Sequence, residues 1–177
     1  ALPLLEPVDV LDIASGDGLM AEMLAPHARR YLCIDASPKV IAAARERLSK
    51  YAHVELREGD MHAIECADAA FDLVLLMHAL TYAEKPAKAL AEAARALRPG
   101  GRLLATCLAK HEHQTVVEPY GHLNLGFTEK ELRKLAEKAG LEVRVCEVVT
   151  KEKRPPHFEV ISLIAHKPGA STERKRG

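Results

Sequence analysis

An excess of charge of either sign is missing from this chain. Its 25 lysines and arginines stand against 25 aspartates and glutamates, so no global field draws it to nucleic acid or to an anionic membrane. A charged partner must be met locally. No apolar stretch approaches the roughly 18 residues that a membrane-spanning helix needs, and no secretory leader is recognisable. The four cysteines, Cys33, Cys66, Cys107 and Cys146, never form a C-x-x-C pair, which excludes the common zinc and redox spacings. Buried free thiols in a reducing, cytoplasmic setting are expected instead. Ala1 to Pro7 hold two prolines, leaving no room for a helix ahead of the first strand, so the chain reads as an excised domain or as one with an open cleft.

What is present is organised around Val8 to Gly18, V-D-V-L-D-I-A-S-G-D-G. Val8, Val10, Leu11 and Ile13 form a nearly continuous apolar run, Ser15 to Gly18 supply turn chemistry, and Leu19, Met20, Met23 and Leu24 open a helical period. Strand, glycine turn and helix make the junction at which open α/β sheets hold ligands. Gly16, Gly18 and Ala21 match the G-x-G-x-x-A dinucleotide fingerprint, and Asp35 follows about 20 residues later at the end of a second strand, Tyr31 to Ile34. Asp12, inside the first strand's end, speaks against a dinucleotide, because a carboxylate there repels a pyrophosphate and suits a cation.

The pattern then repeats. Ser37 and Pro38 cap a helix with Val40, Ile41, Ala44 and Leu48 on its apolar face. His53 to Glu58 reads as an edge strand followed by Gly59-Asp60-Met61, and Phe71 to Leu76 as a central strand with Met77, His78 and Tyr82 at its carboxyl end. Pro86 opens a helix that runs to Leu97, Pro99-Gly100-Gly101 ends it, and Leu103 to Leu108 form a fifth strand. Lys110 to Phe127 is a long irregular segment holding His111, His113, Tyr120 and His122, and such loops are often functional. Thr128 and Glu131 form a capping box for a helix that Gly140 stops. Leu141 to Val149 and Phe158 to Ala165 suit an antiparallel hairpin, and residues 169–177 a flexible tail after a single domain, 1–168.

Two of these runs, Asp12-Ile13-Ala14-Ser15-Gly16-Asp17-Gly18 and A-R-A-L-R-P-G-G-R-L-L from Ala94 to Leu104, resemble class I S-adenosylmethionine-dependent methyltransferases, with Ala14 in place of that family's first glycine. The likeness is to the small-molecule group that includes the ubiquinone and menaquinone enzymes. The segments H-A-L-T-Y-A-E-K-P, K-H-E-H and G-H-L-N-L-G-F resemble methyltransferase domains fused behind arsenic-repressor-type winged-helix regulators.

The resemblance implies an α/β fold, Rossmann-like: a seven-stranded, mostly parallel sheet with one antiparallel strand and helices on both faces. It implies S-adenosylmethionine as cofactor, a small-molecule acceptor, and no nucleic acid or membrane partner through this domain. Asp12, Ala14, Gly16, Gly18, Asp35, Ala36, Asp60, Met61 and Met77 are the cofactor-binding positions, with Asp35 gripping ribose hydroxyls and Ala36 against adenine. His78 is the first candidate base and His111 the second. Tyr82, His113, Tyr120 and His122 are candidate substrate contacts. His27, His53, His62 and His166 are read as packing or surface residues. His111 and His113 have chelating spacing but no third ligand, so no metal is expected. A non-catalytic cofactor-binding regulatory domain and a nicotinamide-dependent oxidoreductase are the alternatives.

Overall fold

A strand apolar on both faces must be covered on both. The computed structural model, which describes residues 6–169, shows this for β1 (Val8–Ile13) and β4 (Phe71–Met77) at the sheet's centre. With β2 (Ala28–Asp35), β3 (Val54–Glu58), β5 (Leu97–Leu108), β6 (Glu142–Lys151) and β7 (Glu159–His166) they form one seven-stranded sheet in the order β3-β2-β1-β4-β5-β7-β6. Neighbouring pairs among β1 to β5 are parallel, and β7 lies antiparallel between β5 and β6. The expected fold is the observed one.

Helices α1 (Leu19–Leu24) and α2 (Pro38–Arg47) cover one face, packing Ala21, Ala44 and Leu48 against Val10, Tyr31, Cys33 and Leu75. Helices α3 (Pro86–Ala96) and α5 (Glu129–Lys138) cover the other, where Leu90 and Leu132 meet Leu11, Ile13, Leu76 and Leu103. Gly18 stands at the α1 N-terminus with φ +81°, and a Cβ there would lie 2.8 Å from Leu48 Cδ1, so glycine lets α1 seat on α2. The Ser37 hydroxyl accepts from Val40 N at 3.4 Å, and Thr128 and Glu131 close their capping box.

Some boundaries differ from the pattern reading. The third helix stops at Ala96, and β5 already begins at Leu97, because Gly100 and Gly101 pair with Lys167 through backbone bonds of 2.8 and 2.9 Å instead of breaking the chain's course. The segment after β5 is not wholly irregular: it holds the short helix α4 (Gln114–Val117) and a 3-10 turn at Glu118–Tyr120. Beyond residue 169 the expected tail lies outside the described residues, as do residues 1–5.

At the amino ends of four adjacent strands, Arg29, Asp9, Asp72 and Arg98 join in one charge network. Arg29 donates to both Asp9 oxygens at 2.9 and 3.0 Å, and Arg98 bridges Asp9 at 2.9 Å and Asp72 at 2.8 Å. The opposite, carboxyl ends carry the two cavities that Met77 and His78 line.

Candidate active site

The turn after β1 is built by two residues in the left-handed region, Ala14 (φ +56°) and Gly16 (φ +59°). It is pinned to β2 twice: Ser15 N donates to Ile34 O at 3.1 Å, and Gly16 N donates to Asp35 Oδ2 at 3.0 Å. The other Asp35 oxygen accepts from Ser37 N at 2.9 Å. One carboxylate therefore clamps the glycine turn to the start of α2, and each oxygen keeps a further lone pair for a ligand hydroxyl.

Around this clamp lies a cavity of about 650 Å³, at the point where strand order reverses between β1 and β4. Ala14, Gly16, Asp35, Ala36, Asp60, Met61, Met77 and Tyr82 line it, together with Ile34, Val40, Gly59, His62, Ala79, Glu84 and Leu123. Seven of the nine expected cofactor positions are thus brought together; Asp12 and Gly18 are not. No Cβ fills the space in front of Gly16, so a ligand approaches the backbone there directly.

Asp12 corrects the sequence reading. It is 1% exposed, faces the α1–α2 side of the sheet, and accepts a 2.9 Å bond from the Tyr31 hydroxyl. Burial, opposed by that bond and reinforced by the nearby Asp35 charge, pushes its carboxyl up to about 7. It does not line the cavity, and near neutral pH it carries only part of its charge. The charge argument passes to other residues: Asp35, Asp60 and Glu84 line the cavity with no lysine or arginine in the lining among the described residues, which suits a cationic or neutral ligand.

Asp60 Oδ1 accepts from His62 N at 2.8 Å and from His62 Nδ1 at 2.6 Å, and these bonds hold its carboxyl below the usual range. His62 Nε2 accepts from Lys85 N at 3.3 Å. That pair of partners assigns the imidazole its Nδ1–H tautomer. His62, read from sequence as a bystander, is a wall of the site; the D-x-H spacing after a strand end was the available signal.

A second, smaller cavity of about 260 Å³ adjoins the first and shares Tyr82 with it. Met77 lines the larger cavity and the next residue, His78, the smaller one. His78 holds φ +57° at the start of a 3-10 turn, Ala79–Tyr82, and its N–H donates to Thr106 O at 2.9 Å. Burial first, then His122, lower its pKa below the ordinary imidazole value, against an opposing pull from Glu152. The remaining lining is Thr81, Leu108, Val116, Val117, Tyr120, His122, Glu152 and Phe158. Three of the four expected substrate residues, Tyr82, Tyr120 and His122, are present here.

His111 and His113 line neither cavity. Their rings stack at 5.8 Å, His111 packs 4.7 Å from Phe158, and its Nδ1 accepts from His113 N at 3.2 Å. The H-x-H spacing builds an aromatic cluster, and among the described residues no group of three or more metal-ligating side chains forms. Asn124, within the G-H-L-N-L-G-F segment but given no role there, ties the loop to the 3-10 turn: its Nδ2 donates to Leu80 O at 2.9 Å and Ala83 O at 2.8 Å, while Leu123 N and Asn124 N both donate to Thr81 O.

S-adenosylmethionine fits the larger cavity by its chemistry: acceptors for ribose hydroxyls, an apolar strip of Ile34, Ala36, Val40 and Met61, and carboxylates without opposing cations for a sulfonium and an ammonium. Comparison with known proteins agrees. A methyltransferase domain matches residues 11–105. A demethylmenaquinone methyltransferase of Tropheryma whipplei is 31% identical over 129 residues, 72% of this chain and 52% of that protein. A ubiquinone/menaquinone biosynthesis C-methyltransferase of Rubrivivax gelatinosus is 33% identical over 95 residues, 54% of this chain and 37% of that one. An S-adenosylmethionine-dependent methyltransferase structure from Methanosarcina mazei superposes with a TM-score of 0.78 at 20% identity, covering 93% of this chain and 94% of the other, which shows the fold. The chain spans about half or less of the length of the curated relatives it matches, from 28% to 52%. With the family match extending over residues 11–105 of 177, the chain belongs to the S-adenosylmethionine-dependent methyltransferases.

Proposed function

We propose that this chain transfers a methyl group from S-adenosylmethionine to a small molecule seated in the smaller cavity. The observation that carries the reading is the shared wall: Met77 faces one cavity, His78 the other, and Tyr82 both. When bound, S-adenosylmethionine supplies a methyl group already activated by a sulfonium, so the protein's work is alignment, exclusion of water and proton removal. Asp35 holds the ribose hydroxyls, Asp60 and the Met61 backbone the adenine edge, and Ala36 and Val40 its face. Ala14 and Gly16 leave room for the methionine end. His78, partly desolvated at the rim and with its pKa lowered, takes the acceptor's proton at the wall.

Titration calorimetry with S-adenosylhomocysteine tests the cofactor half. Tight binding is expected, weakened by about 2–3 kcal/mol, or roughly 30- to 150-fold in Kd, in Asp35→Ala through lost charged hydrogen bonds. Binding of NADH in its place would overturn the reading. Labelled-methyl transfer into candidate acceptors tests the other half, and cofactor binding with no transfer to any of them would favour a regulatory domain.

A further inference from the structure

The smaller cavity holds two buried polar atoms with no partner among the described residues: Thr81 Oγ1, on a residue 2% exposed, and His122 Nδ1. Each unpaired buried polar atom costs about 1–3 kcal/mol, so each marks where a ligand's hydrogen bond belongs. The His122 ring stands edge-on to Tyr82 at 5.4 Å and tilted to Tyr120 at 6.4 Å, and Phe158 adds a further aromatic wall. Leu108, Val116 and Val117 complete an apolar body. The single charged residue in the lining is Glu152, and its charge reaches His78.

Aromatic faces and one carboxylate, without lysine or arginine, favour a cation and penalise an anion. Resting on the methyl-transfer reading, we propose that the acceptor is a compact primary or secondary amine on an apolar body, its ammonium paired with Glu152 and its nitrogen ordered by Thr81 and His122. The ammonium gives one proton to His78. The freed lone pair forms the N–C bond to the methyl carbon, and the C–S bond breaks with its electrons passing to sulfur, leaving the thioether S-adenosylhomocysteine and the methylated, protonated amine. Carboxylate acceptors are excluded by the same lining.

The test compares three probes of one shape, phenethylamine, its alcohol analogue and its carboxylate analogue, titrated into the full chain with and without saturating S-adenosylhomocysteine. The amine is expected to bind about tenfold tighter than the alcohol, and the carboxylate not at all. Glu152→Gln should erase the amine's advantage and leave alcohol binding and S-adenosylhomocysteine affinity unchanged; Thr81→Val should weaken amine and alcohol alike. With S-adenosylmethionine, mass spectrometry should find the N-methylated amine. Equal binding of amine and alcohol, preference for the carboxylate, or an amine advantage that survives Glu152→Gln would overturn the proposal. Failure of S-adenosylhomocysteine to bind while the amine still does would instead sink the cofactor reading, so the two failures separate.

Discussion

The two ends of the parallel sheet use charge in opposite ways. At the amino ends, Asp9 and Asp72 are each held by arginines from neighbouring strands, and Asp72 Oδ2 also accepts from Asp9 N at 2.9 Å. At the carboxyl ends, Asp35, Asp60, Glu84 and Glu152 line cavities without a lysine or arginine, and Thr81 and His122 keep polar atoms unpaired. Four adjacent strands thus pair acid with arginine at one end, whereas at the other Asp35 and Asp60 are held by backbone and histidine donors and meet no arginine. Stability is concentrated below and ligand recognition above, so substitutions at the two ends should separate folding from function.

The largest expected effect lies at the upper end. His78→Gln removes the proposed base and should lower kcat by about 10²–10⁴-fold while leaving S-adenosylhomocysteine affinity intact. In the parent, activity should fall on the acid side only below the ordinary imidazole value, since the neutral form acts and the histidine pKa is lowered. His122 and Glu152 are the titrating groups that face it, and Glu152→Gln should carry this limb still lower by removing the charge that raises the His78 pKa. A limb unchanged in His78→Gln would show that the proton goes elsewhere.

The lower end answers in stability alone. Asp9→Ala leaves Arg29 and Arg98 with only Asp72; because both arginines are partly exposed, the cost is about 2 kcal/mol instead of the larger penalty of a fully buried pair. Its bond to Arg29 first, then Arg98, holds the Asp9 carboxyl below the usual range. This stabilisation is therefore present above pH about 4 and is lost as acid titrates the folded-state carboxyl. Chemical denaturation of Asp9→Ala should show the loss, and calorimetry should show cofactor affinity unmoved. A drop in both would break the separation.

Asp12, buried inside the carboxyl end of β1, has the opposite sign. Its folded-state carboxyl is raised from 3.8 to about 7, so the native protein keeps a proton that the unfolded chain releases. Stability from this group is highest below the unfolded value, declines as pH rises across that window, and levels off above about 7. Asp12→Asn should flatten the slope and make the variant the more stable one at pH 8, by an amount on the order of a few kcal/mol less the altered bond to Tyr31. Stability equal to the parent at every pH would show that Asp12 is solvated after all.

These cases show why some of the site was legible and some was not. Ala14, Gly16, Asp35 and Met77 follow from strand ends and turn chemistry, because the chain's local pattern fixes where a parallel strand stops and its rim begins. Asp12 misled because one-dimensional spacing cannot say which face of the sheet a strand residue takes; it took the face of Tyr31, and the clamp on the glycine turn went to Asp35. His111, the second candidate base, lines neither cavity because its ring stacks on His113 beside Phe158, a packing that its place in a long loop does not reveal. Glu152 and Phe158 reach the smaller cavity only through the β6–β7 hairpin, a contact distant in sequence from His78 and carrying no local signature.

Asn124 yields the smallest expected effect and the sharpest test of how the open end is held. Its amide donates to Leu80 and Ala83, so one side chain fastens the His122-bearing loop to the turn that carries Thr81 and Tyr82. Asn124→Ala removes these bonds and leaves the Ala83 carbonyl short of a partner, while Leu80 O keeps the Ala83 N–H, at a cost of about 1–2 kcal/mol. Because Leu123 N and Asn124 N still donate to Thr81 O, the loop stays attached but looser. The lost order falls on Thr81, Tyr82 and His122 of the smaller cavity and on the Ala79, Tyr82 and Leu123 edge of the larger one, whereas Asp35 and Asp60 stand on other elements. An acceptor KM raised about fivefold to tenfold, with S-adenosylhomocysteine affinity close to the parent's, is therefore expected. If cofactor affinity falls by the same factor, the two cavities share one support, and the division between a self-satisfied lower end and two separately held upper sites has to be redrawn as a single coupled rim.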